Sequence, residues 1–189
     1  GTSQKENTRI WLYTVNPLPN SYPFYHIKNE HVNEDGHIRN LLYRFKSTKS
    51  NLIYIVLVEQ YEHNVFAVKF YPKAWRLSKD KYRLLTKTNE PRTIINSCIN
   101  VMLSIYSENP NASFGFVGSN NMNEGENETK RYRVYSALIA TYFSGKYFHN
   151  KENKEKSAYL LINKRYLNEH PTLVTDIENF FKRQYHYFS

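Results

Sequence analysis

Leu52-Ile53-Tyr54-Ile55-Val56-Leu57-Val58 is an unbroken apolar run rich in β-branched residues, the pattern of a central strand covered on both faces. After the short turn Glu62-His63-Asn64 comes Val65-Phe66-Ala67-Val68-Lys69-Phe70-Tyr71, so the two segments are expected to pair as a hairpin. On the N-terminal side, residues 22–31 (YPFYHIKNEH) and 41–46 (LLYRFK) are aromatic enough to be strands, separated by a turn at Asn33-Glu34-Asp35-Gly36.

On the C-terminal side the pattern changes to helical steps. Ile94, Ile95, Cys98, Ile99, Met102, Ile105 and Tyr106 recur every three or four residues, with Pro91 in the first turn, Thr88 or Asn89 as the cap and Asn109-Pro110 as the stop. A strand over 112–117 (ASFGFV) and a polar loop, Gly118 to Glu128, lead to a second helix with the stripe Tyr135, Leu138, Ile139, Tyr142 and Phe143, stopped by Gly145. Strands near 146–149 and 158–162 flank a charged turn over 151–156, and Pro171 opens a third helix striped by Leu173, Val174, Ile177, Phe180, Phe181 and Tyr185. This order predicts an α+β fold, a single domain with three helices over a mostly antiparallel twisted sheet.

A chain of 189 residues suits one core. No stretch of about 18 apolar residues is present, so no membrane span is expected. Cys98 is the sole cysteine; it has no partner for an internal disulfide and reads as a small core hydrophobe in a cytoplasmic protein. Gly1 to Glu6 has no apolar core of the kind a signal peptide needs, and residues 1–20 are expected to form an extended arm or tag remnant, with Ile10, Trp11, Leu12 and Tyr13 docking as a short strand. The domain proper then covers 21–189.

The net charge is +9. The Tyr-, Asn- and Lys-rich composition is what AT-rich coding produces, but uniform bias does not cluster charge. Residues 39–92 carry twelve basic and four acidic groups, a net +8, against −1 for residues 1–38 and +2 for residues 93–189. Within that third, Phe70 to Lys87 interleaves six cations and one acid with Tyr71, Trp75 and Tyr82. Cations neutralise phosphates with release of counterions, and flat rings stack on exposed bases, a pairing that single-stranded RNA presents. RNA-contacting residues are therefore expected at Lys69, Tyr71, Lys73, Trp75, Arg76, Lys79, Lys81, Tyr82, Arg83, Lys87 and Arg92, with Lys130, Arg131 and Arg133 extending the patch. The competing reading is an amphipathic connector whose Trp75, Leu77, Leu84 and Leu85 close the sheet edge while the lysines are merely solvated.

The order from 52 to 162, with Phe116-Val117-Gly118-Ser119-Asn120, Arg133-Val134-Tyr135 and Tyr142-Phe143, resembles the core of the GNAT-type N-acetyltransferases over roughly 110 residues. The resemblance implies a pyrophosphate-cradling, glycine-rich turn between the long strand and the next helix. Residues 72–93 stand there and contain no glycine, so no cofactor and no catalytic residue are carried over.

Other catalytic patterns are weak. His26, His31 and His37 are five and six apart in a region expected to be strand and turn, where the odd step sends side chains to opposite faces. Arg165-x4-His170 fits the loose motif of the HEPN ribonucleases, but the segment reads as a link between a strand and Pro171, with no helix to carry the pair. Glu152-x-Lys154 reads as part of a solvated turn. The P-loop, the Rossmann fingerprint and Gly-x-Ser-x-Gly are absent from the sequence. The expected function is non-enzymatic binding of RNA or a ribonucleoprotein. In size, charge and composition the chain is similar to small phage and mobile-element anti-CRISPR proteins, which implies an RNA-guided nuclease or its guide RNA as partner. An antitoxin or immunity-type interaction module and a divergent acetyltransferase are the alternatives.

Overall fold

A computed structural model of the chain describes residues 17–78, 89–117, 136–153 and 158–185. The strands are β1 (Phe24–Glu34), β2 (His37–Lys46), β3 (Ile53–Tyr61), β4 (Val65–Pro72), β5 (Ser113–Val117), β6 (Phe148–Asn153) and β7 (Ala158–Asn163). They form one sheet in the order β1-β2-β3-β4-β5-β7-β6. All neighbours are antiparallel except β4 and β5, which run parallel from Val65↔Ser113 to Val68↔Phe116. A parallel pair needs a crossover connection, and α1 (Pro91–Glu108) lies in it. The remaining helices are α2 (136–142), α3 (Lys164–Glu169) and α4 (Leu173–Tyr185). Among the described residues no helix is long and apolar enough to cross a membrane.

Strand alternation divides the buried residues into two clusters. Leu41, Tyr43 and Phe45 of β2, Tyr54, Val56 and Val58 of β3, Phe66 and Val68 of β4, and Phe114 and Phe116 of β5 point to the face covered by α1 and α2. Tyr61, Val65, Ala67, Leu160 and Ile162 point to the other face, where α4 seats Leu173, Ile177, Phe180 and Phe181. Since α4 lies over β4, β5, β7 and the end of β3, it leaves the second face of β1 and much of β2 exposed, with Ile27 45% and Tyr25 36% accessible. The functional candidate lies on this exposed part.

Three expectations change. The first helix was expected to be capped by Thr88 or Asn89, but Pro91 is its first residue and Glu90 stands at the cap position without capping through its side chain. The Glu90 carboxylate instead accepts hydrogen bonds from Ser47 and Tyr22. The third helix starts at Leu173 rather than Pro171, and a fourth helix, α3, precedes it. Asn163 caps α3 by accepting from the Tyr166 amide at 3.1 Å, so Arg165 is helical after all and His170 closes the helix.

Of the expected arm, residues 1–16 lie outside the described residues. Residues 17–22 are fastened to α1: the Leu18 amide donates to Asn100 (2.9 Å), the Tyr22 amide to Ser97 (2.8 Å), and Asn96 donates to the Pro19 and Asn20 carbonyls. These bonds partner Ser97, Asn100 and the amide nitrogen of Asn96, polar groups buried on a helix whose buried residues are mostly apolar.

Candidate nucleic-acid interface

On the exposed second face, β1, β2, β3, the end of β4 and the turn after it enclose a cleft of about 730 Å³. Its floor is Leu42 of β2 and Ile55 of β3, residues whose strand neighbours point into the opposite core. The rim carries Lys28 of β1, Arg44 of β2, Lys73 of the 3-10 turn Lys73–Trp75, and Arg76. Tyr25 and Tyr71 add rings, and among the described residues no acidic side chain lines the cleft.

The strand register sets the geometry. Tyr25 is directly opposite Arg44, and the Arg44 guanidinium sits 5.7 Å from the centre of the Tyr25 ring, within reach of a cation–π contact. Tyr71 is opposite Ile55 on the next strand pair, which places its phenol on the same face. Burial raises the Tyr71 pKa above its ordinary value, the Glu30 charge adds to the rise and Arg76 opposes it, so the ring stays neutral at physiological pH. Lys28 pairs with Glu30 at 3.2 Å, and both are exposed, where such pairs contribute little.

Among the residues expected from sequence, Tyr71, Lys73 and Arg76 meet in this cleft. Trp75 is half-buried in the same turn. Lys69 is engaged elsewhere: it forms a 2.5 Å ion pair with Glu59 and is only 18% exposed. Arg92 is exposed in the first turn of α1, the helix packed on the opposite face of the sheet. Lys79, Lys81, Tyr82, Arg83 and Lys87, and Lys130, Arg131 and Arg133, lie outside the described residues.

The sequence reading missed Tyr25, His26, Lys28 and Arg44. Their signal was the alternation of Leu42 and Arg44 with Tyr43 and Phe45, which assigns Arg44 to the face away from the core. His26 bonds Asn29 at 2.6 Å and His37 bonds Asn40 at 2.7 Å.

No family model, curated protein or solved structure matches this chain.

Proposed function

We propose that the chain binds single-stranded RNA, free or within a ribonucleoprotein, across the open face of β1–β4. One observation carries this reading: four cations and two tyrosines line a single cleft, and among the described residues no acidic side chain lines it, Glu30 standing beside Lys28 at its edge. A strand of RNA offers that surface phosphates at a regular spacing and bases whose faces stack on aromatic rings. A guide RNA, or the RNA-guided nuclease that holds it, is the partner that the composition favours, with inhibition as the outcome.

Affinity for a short single-stranded RNA, measured against salt, tests the proposal. If the four cleft cations each neutralise one phosphate, the slope of log affinity on log salt is about −2.8, and Arg44→Ala or Lys73→Ala each lowers it by about 0.7. Tyr25→Ala costs about 1–3 kcal/mol of stacking. RNA affinity that does not change when Lys28, Arg44, Lys73 and Arg76 are all replaced by Glu refutes the reading. Capture of an acidic protein by a chain that binds no RNA transfers the cleft to an antitoxin or immunity role.

A divergent acetyltransferase is the second reading, favoured by the placement of the parallel pair. The β4–β5 ladder stops at Val68↔Phe116 while β4 continues to Pro72, and ligands of mixed sheets collect at the carboxyl ends of such strands. The glycine-free crossover weighs against it. Thermal stabilisation by acetyl-CoA, with none by RNA, would decide in its favour.

A further inference from the structure

Away from the cleft, a group of side chains that the RNA reading does not use lies at the edge of the second cluster, against Phe180. His63 lies in the turn between β3 and β4, His170 at the end of α3 and Asp176 in the first turn of α4. One ligand atom from each lies within 4.8 Å of the other two. We propose that His63, His170 and Asp176 bind a first-row divalent cation of the zinc class.

The three positions are fixed by backbone bonds. The Ser113 amide donates to the Asn64 carbonyl at 2.9 Å, and Asn109 donates to the Asn64 side chain at 3.0 Å, pinning the turn. The His170 amide donates to Tyr166 and the Leu173 amide to His170, joining α3 to α4. Leu173 and Ile177 anchor α4 in the core.

His63 itself has φ of +65°, a left-handed conformation that costs a histidine more than a glycine, and such outliers concentrate at functional sites. That conformation lays its ring on His170, centroids 4.3 Å apart, between Tyr166 and Phe180.

Two imidazole nitrogens and a carboxylate oxygen suit Zn²⁺ or Co²⁺ better than Mg²⁺ or Ca²⁺, which favour all-oxygen sites. Ligand atoms about 2.1 Å from a tetrahedral ion are roughly 3.4 Å from one another. His170 and Asp176 stand closer than that, at 2.6 Å, because a hydrogen bond holds a proton between them. The ion takes the place of that proton, which leaves to solvent, and the rings turn about their side-chain bonds to face it. Both His170 and Asp176 are nearly one-third exposed, which opens a path for the ion and for water to complete its shell. Thr172 donates to Asp176 at 3.1 Å and orients the carboxylate from outside the first shell.

Titration of the full chain with Co²⁺, followed by visible d–d absorption and displacement by Zn²⁺, tests the site. One equivalent should bind, with a dissociation constant in the micromolar range or below. Asp176→Asn and His170→Gln should each weaken binding by more than about 100-fold, beyond the loss typical of an outer-shell partner. His63→Asn keeps a residue that tolerates the left-handed backbone; it should weaken binding equally while leaving the circular dichroism unchanged. Absence of d–d bands up to millimolar Co²⁺, or bands unchanged in all three variants, overturns the proposal and leaves the cluster as a hydrogen-bonded clasp between the hairpin and α4.

Discussion

Replacing Gly115 with alanine sets backbone propensity against packing, and the structure says which wins. Gly115 is in β5, between Phe114 and Phe116, which point into the α1 face. A glycine inside a strand costs roughly 0.5–1 kcal/mol relative to alanine, and no left-handed backbone is recorded at this position, so propensity alone favours the substitution. The space does not. A Cβ on Gly115 would lie 2.0 Å from Phe181 Cζ and 2.8 Å from both ring Cε atoms, whereas ordinary contact begins at 3.4 Å. The ring must retreat by about 1.4 Å, the shortfall between 2.0 and 3.4 Å. Phe181 is only 1% exposed and packs in the cluster under α4, so the retreat shifts α4 or expels the ring. Overpacking of this kind costs about 1–3 kcal/mol, and loss of a buried Phe adds to it. Gly115→Ala is therefore expected to lower stability by about 2 kcal/mol in urea unfolding, equivalent to a melting temperature lower by roughly 4–8 °C for a chain of this size. Phe181→Leu added to Gly115→Ala should recover part of the loss. A Gly115→Ala protein as stable as the wild type, or more so, would refute the close seating of α4 on β5.

The buried carboxylate of Glu90 accepts from both Ser47 and Tyr22; Glu90→Ala leaves the Ser47 hydroxyl without that acceptor and should cost about 1–3 kcal/mol in urea titration, a change under about 0.5 kcal/mol arguing against the network. Burial pushes the Cys98 thiol well above its ordinary pKa, and burial, reinforced by Glu108 and opposed by Arg39, does the same to the Tyr43 phenol. The folded state therefore favours both neutral forms, and this contribution is whole below the unfolded-state values, about pH 8.5 and 10, and is lost as pH climbs toward the raised ones. Native Cys98 should resist a thiol reagent at pH 8 and react on unfolding, and an alkaline melt should lose stability as pH rises past about 8.5; rapid native labelling would place Cys98 at the surface.

The apolar run of β3, its hairpin with β4 and the heptad-like stripe of α1 were legible because each is a local pattern: residue spacing alone decides which side chains share a face. The same is true of the α+β class and of Tyr71, Lys73 and Arg76, which are close in the chain. The helix α3 escaped notice because six residues give too short a stripe to recognise. What required the folded chain was distance. Arg44 meets Tyr25 only through the β1–β2 register, and the cleft exists because α4 covers one end of the second face and not the other. His63 reaches His170 and Asp176 only when the β3–β4 turn and the start of α4 arrive at the same edge of the sheet. Sequence determined which residues each element would bury; the order of strands, with β5 laid parallel to β4, decided which exposed residues became neighbours, because that order rests on contacts between segments far apart in the chain.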